Sequence, residues 1–282
     1  MGSTERDVNI TVGVLALQGA FNEHVQLLRH AARILATKDT TERDWTFKEV
    51  RTEQELLSCD GLIIPGGEST AISLVAQRSN MLEPLRDFVK VTRKPTWGTC
   101  AGLILLAESA NRTKKGGQEL IGGLDVRVNR NHFGRQIESF EADLDLPFLK
   151  DNHASTQQSP FRAIFIRAPI VEKLLPTVSG IQEDEATVDD TVIAPSRPID
   201  ESVAKTINLG DVEIMGTLPG RTAAIRDDDT TGRLDVEAGD IIAVRQANVF
   251  GTSFHPELTG DPRIHVWWLE QVVKAVSQRR NP

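Results

Sequence analysis

The sequence predicts an α/β fold, a doubly wound and mainly parallel sheet flanked by helices. Three observations carry this. Short apolar runs rich in β-branched residues, such as Ile10–Leu17 (ITVGVLAL) and Gly61–Ile64 (GLII), recur through the N-terminal part of the chain. They alternate with stretches of helical spacing. Several runs end in glycine turns, at Gln18-Gly19 and at Pro65-Gly66-Gly67. Strand–helix alternation of this kind builds parallel sheets with helices on both faces.

Taken in order, Ile10–Leu17 reads as a buried strand. Phe21 to about Leu35 reads as a helix with Val25, Leu28, Ala32 and Leu35 on one stripe. Alternation over Trp45–Val50 predicts a second strand and Gly61–Ile64 a third. Ser69 is placed to cap a helix through about Gln77, and a further helix spans about Met81–Thr92. Pro95–Gly98 is a short strand, and Ala101–Glu108 is helical. Leu124–Val128, Phe140–Leu144 and Ala163–Ile166 are strands with few helices between them, which predicts antiparallel additions. From about 171 to 240 the pattern weakens into an acidic, proline-containing stretch that reads as a long irregular insertion. Ile241–Gln246 and Val249–Phe254 recover strand character, joined by a tight Ala247-Asn248 turn. A closing helix spans about Pro262–Ser277. No linker divides the chain convincingly, so residues 1–282 are expected to form a single domain.

Composition narrows the function. A net charge of −8 and a pI near 5.4 argue against nucleic acid or an anionic membrane surface as partner. No apolar run approaches the roughly 20 residues of a membrane-spanning helix. The polar start MGSTERDVNI lacks the apolar core of a secretory signal. Two cysteines, Cys59 and Cys100, make no disulfide framework and no zinc pattern. A reduced, cytoplasmic protein is the expectation.

Cys100 stands apart from Cys59. In Gly98-Thr-Cys100-Ala-Gly102 a strand turns into a helix with glycines two residues either side of a nucleophile. Such a turn is too tight for side chains at the flanking positions, and it projects the nucleophile at the carboxyl end of the sheet. The following helix N-terminus favours thiolate. In Phe254-His255-Pro256-Glu257, proline keeps His255 out of helical conformation, and an extended path puts His255 and Glu257 on one side. Those are the base and orienting carboxylate of a triad. The other histidines (His24, His30, His132, His153 and His265) have no such setting and read as structural or surface residues. The paired glycines before Glu68 suit an oxyanion hole, with the amides of Gly67 and Ala101 as donors. Arg130 and Arg167 are both candidates to grip a substrate carboxylate.

Together the stretches GVLALQGAFNEH, LIIPGGEST, GTCAGLILLA, RNHFGRQIESFEADL, IFIRAP and GTSFHPELT resemble the glutaminase subunit of pyridoxal 5′-phosphate synthase, within the class I (triad) glutamine amidotransferases. GTCAGL and SFHPE mark the wider class, whereas LQGAFNEH, PGGEST and FGRQIESFEADL point to the vitamin B6 branch. The resemblance implies hydrolysis of L-glutamine by Cys100, His255 and Glu257, with no metal or organic cofactor. It implies glutamine contacts from Gly66, Gly67, Glu68, Ser69, Arg130, Ile166 and Arg167, with Gln18 near the oxyanion region. The implied partner is the barrel-shaped synthase subunit that consumes the ammonia. A γ-glutamyl hydrolase, another synthase's glutaminase or a scaffold without turnover stay as alternatives at this point.

Overall fold

A computed structural model describes residues 9–38, 43–111, 118–130, 139–150, 159–218 and 240–280. The first half follows the predicted alternation: β1 (Ile10–Leu15), α1 (Phe21–Lys38), β2 (Trp45–Val50), α2 (Glu53–Leu57), β3 (Gly61–Ile64), α3 (Ser69–Arg78), α4 (Leu82–Arg86), β4 (Thr96–Thr99) and α5 (Ala101–Leu106). α4 continues as a π turn over Asp87–Val91. The second half holds β5 (Ala107–Asn111), β6 (Leu124–Asn129), β7 (Ser139–Leu144), β8 (Phe161–Ile166), β9 (Ile170–Leu174), α6 (Glu183–Ala186), β10 (Thr191–Ile193), α7 (Glu201–Ala204), β11 (Glu213–Leu218), β12 (Asp240–Gln246), β13 (Val249–Thr252) and α8 (Arg263–Arg280).

Strands β13, β4, β3, β1 and β2 form a continuous parallel block, and this block carries the site. On its flank, β12, β9, β6, β5 and β10 extend the same sheet, with antiparallel pairing except between β5 and β6. β11 pairs with β12, and β7–β8 make a separate hairpin. Two apolar layers sandwich the sheet. One side buries Leu56, Ile72, Leu85 and the whole of α5. The other buries Val25 and Leu28 of α1, Trp268, Leu269 and Val272 of α8, and Phe161 and Phe165 of the hairpin. Burial on both faces is why the central strands read as unbroken apolar runs.

Three local expectations change. Ser69 is the first residue of α3 and not its cap: the carboxylate of Glu68 accepts the N–H groups of Thr70 and Ala71 at 2.9 and 2.6 Å. The helix after Cys100 ends at Leu106, because Ala107 turns extended (φ −68°, ψ 145°) and β5 joins the sheet. Glu108 therefore lies in a strand, paired with the buried Lys90 ammonium at 2.7 Å. The segment from Val171 carries more regular structure than its composition suggests. β9 and β10 pair with β6 and β5, and β11 pairs with β12; residues 219–239 of that segment lie outside the described residues. Among the described residues no helix is long and apolar enough to cross a membrane.

Candidate active site

The turn after β4 is as tight as its glycines require. Cys100 adopts φ 48°, ψ −100°, a conformation that costs a non-glycine residue on the order of 1–3 kcal/mol. A Cβ on Gly98 would lie 2.4 Å from the carbonyl carbon of Gly102. One on Gly102 would lie 2.1 Å from the Ile64 oxygen of β3. Any side chain there would force the turn off the sheet. The Cys100 N–H is held by the Thr252 oxygen of β13 at 2.8 Å. The next amide, that of Ala101, opens α5 and so has no acceptor within the helix.

β13 delivers the base. Its continuation is pinned where the His255 N–H donates to the Ile164 oxygen of β8 at 2.8 Å. His255 is non-helical (φ −105°, ψ 83°), consistent with the proline that follows it. Beyond it the expected extended path gives way to a 3-10 turn over Pro256–Leu258, and Glu257 reaches the imidazole from that turn. Glu257 Oε1 lies 2.7 Å from His255 Nδ1. Cys100 sits close enough to the ring to favour its charged form. Burial opposes charge on the imidazole, yet the neighbouring Cys100 and the bonded Glu257 outweigh burial and push its pKa up to about 10. Protonated His255 thus stabilises the fold fully below the ordinary histidine pKa near 6.5. That contribution is lost as pH rises through the folded value of about 10. His255 should therefore remain an imidazolium at pH 8 in the resting protein, and its titration should move to lower pH in Cys100→Ala, as read by side-chain 15N NMR.

The Gly66–Gly67 loop closes over this pair. A Cβ on Gly66 would fall 2.3 Å from His255 Cε1 and 3.4 Å from Cys100 Cβ, so the imidazole packs directly on the glycine backbone. Gln18 buttresses the loop: its carboxamide oxygen accepts the Glu68 N–H at 2.9 Å and fills the space a Gly67 side chain would take. Arg130 reaches in from the end of β6, with its side chain only 9% exposed, and donates to Ser69 Oγ at 2.7 Å and Thr70 Oγ1 at 3.2 Å. The Ile166 oxygen lies 3.9 Å from the Cys100 sulfur. Arg167, left-handed at φ 43°, follows with an exposed side chain. Gly66 and the Ile166 oxygen thus abut the Cys100–His255 pair, and Gln18, Gly67, Glu68, Ser69 and Arg130 form a connected cluster around the same loop, while the Arg167 side chain is exposed. Cys59, by contrast, is buried beneath α2, and burial pushes its thiol up to about 11.

The chain as a whole is similar to known proteins. The model of the SNO glutamine amidotransferase family matches residues 14–197 and 206–274. The chain belongs to that family. Its relatives include a probable pyridoxal 5′-phosphate synthase subunit of Arabidopsis thaliana, 40% identical over 95% of this chain and 88% of the relative. Another is the corresponding subunit of Nocardia farcinica, 38% identical with the same coverage of both chains. A solved glutamine amidotransferase structure shares the fold at TM-score 0.59 and 32% identity, covering 93% of this chain and 98% of its own. The SNO family match spans β9, α6 and β10, which lie within the segment read from the sequence as an insertion.

One part of this amidotransferase site is not apparent from the motifs. His24 of α1 and His265 of α8, both fully buried, converge behind Glu257. They were expected to be structural residues. A signal was present: each interrupts an otherwise apolar inward stripe, Val25 and Leu28 in α1 and Ile264, Trp268 and Leu269 in α8. A polar group on such a face needs a polar partner.

Proposed function

We propose that this chain hydrolyses L-glutamine to L-glutamate and ammonia, and passes the ammonia to a pyridoxal 5′-phosphate synthase subunit in the cytoplasm. The observation that carries the reading is the imidazole of His255, bonded to Glu257 and packed with Cys100 against the same glycine, Gly66. In this reading the Cys100 thiolate attacks the side-chain amide carbon. The resulting oxyanion is held by the amides of Gly67 and Ala101. His255 gives its proton to the departing nitrogen, releasing ammonia and leaving a γ-glutamyl thioester. Water, deprotonated by His255, then attacks the thioester and yields glutamate and free thiol. Glu257 holds the imidazole in register throughout.

Arg130 is the better-placed cation for the substrate α-carboxylate, since Ser69 and Thr70 already hold its guanidinium against the loop. The backbone oxygen of Ile166 is available to the α-ammonium. Arg167 contributes through its backbone position beside Cys100.

Ammonia set free in water at neutral pH is protonated and loses its nucleophilicity, so a sealed route to an acceptor enzyme is required. The names of the Arabidopsis and Nocardia relatives identify that enzyme as pyridoxal 5′-phosphate synthase. The test is glutamate release measured alone, with the barrel subunit of that synthase, and with the acceptor subunit of another amidotransferase. Stimulation by the pyridoxal-phosphate enzyme alone is expected. Stimulation only by the other acceptor would contradict the pathway assignment.

A further inference from the structure

We propose that His24 is a positioning residue of the catalytic site, donating a hydrogen bond from Nε2 to the distal carboxylate oxygen of Glu257 and held in that tautomer by His265. The inference rests on the glutaminase reading for its kinetic part, and on the geometry and burial of the two rings for its tautomers.

Glu257 uses Oε1 for His255 and keeps Oε2 fully buried with no hydrogen bond of ordinary geometry. A carboxylate oxygen in that position costs on the order of 1–3 kcal/mol unless a donor reaches it. His24 Nε2 lies 3.4 Å from it and 3.3 Å from Thr99 Oγ1, while His24 Nδ1 lies 3.0 Å from His265 Nε2. Desolvation keeps both rings neutral: His24 is held well below the usual histidine range and His265 falls to about 3. Each ring therefore carries one proton, and of the four tautomer combinations only two place a single proton between His24 Nδ1 and His265 Nε2.

In the first, His265 Nε2–H donates to His24 Nδ1, and His24 Nε2–H bonds Thr99 Oγ1 with the bare Glu257 Oε2 only 3.4 Å away. The bare nitrogen is then His265 Nδ1, a buried atom with no partner. In the second, His24 Nδ1–H donates to His265 Nε2. That turns the His24 Nε2 lone pair toward a carboxylate and leaves an N–H on the partnerless His265 Nδ1. The second arrangement incurs two penalties that the first avoids, since an orphaned donor costs more than an unused ring lone pair. The rings have little freedom to escape: Trp97 packs edge-on against both, at centroid distances of 5.5 and 4.9 Å. The line His265–His24–Glu257–His255–Cys100 is thus oriented from the α1–α8 interface to the nucleophile.

The decisive variants are His24→Phe, which keeps a ring against Trp97 and removes the donor, and His24→Gln, which retains an N–H near the Nε2 position. With wild-type protein and synthase subunit as reference, His24→Phe should lower kcat about tenfold to a hundredfold, the size typical of outer partners that orient catalytic groups. KM should change less than about twofold, and His24→Gln should recover most of the loss. Wild-type kcat in His24→Phe, or an equal loss in His24→Gln, would overturn the proposal. Long-range 1H–15N NMR of the unmodified full chain gives a readout independent of activity and of mutant folding. It should show His24 and His265 as neutral Nε2–H tautomers, and an Nδ1–H tautomer at His24 would overturn the assignment. A wild-type protein silent with its synthase would instead count against the glutaminase reading, and the tautomer result would still decide the hydrogen-bond chain.

Discussion

Cys100→Ala is expected to reduce glutamate release by at least about a thousandfold while leaving the fold intact. Removing a nucleophile eliminates the covalent route altogether, and what survives comes from binding and the oxyanion donors. The variant should stay folded, losing only the share of the His255 stabilisation that Cys100 supplies. Alanine at φ 48° carries the same backbone penalty as cysteine, and the Cys100 N–H still donates to the Thr252 oxygen. Steady-state release with the synthase subunit present, paired with thermal unfolding, checks both halves. A folded variant that kept a tenth or more of wild-type activity would remove Cys100 from the chemistry.

Gly66→Ala should be nearly as damaging, for a different reason. The new methyl group would occupy a point 2.3 Å from His255 Cε1 and 2.7 Å from Nδ1. The imidazole has nowhere to retreat, because its backbone is tied to Ile164 and its Nδ1 to Glu257. Moving the ring by about an ångström misaligns it with the thiol and should lower kcat about a hundredfold. Gly67→Ala is the matched control. Its nearest obstacle is the carboxamide of Gln18 at 2.4 Å, the far end of a flexible side chain that can swing aside. A loss of no more than about tenfold is expected there. Equal losses in the two variants, measured by kcat, would show that the loop and not the His255 ring limits the site.

The parallel block and the reactive set were legible in the sequence because both are written in local residue types. Buried parallel strands need continuous apolar runs, and the elbow needs glycine at 98 and 102, where a Cβ would collide with backbone. His-Pro-Glu is likewise a local signal, although Glu257 reaches His255 through a 3-10 turn and not along an extended strand. What the sequence hid is held together by long-range pairing. β5 has the composition of a helix (AESAN) and is a strand because β6 and β10 flank it. β10 and β11 lie in an acidic stretch whose local pattern is weak, and take their form from their partners β5 and β12. His24 and His265 are separated by 241 residues, so neither helix alone reveals that the two rings meet behind Glu257.

The central claim is that Cys100, activated by His255, forms a covalent bond to the side-chain carbon of glutamine. The most direct measurement is reaction of the full chain with a glutamine analogue carrying an electrophilic ketone in place of the amide, followed by intact mass and peptide mapping. One adduct on Cys100 is predicted, suppressed by excess glutamine, with Cys59 unmodified. An adduct on Cys59, or labelling of Cys100 that glutamine does not suppress, would contradict the account.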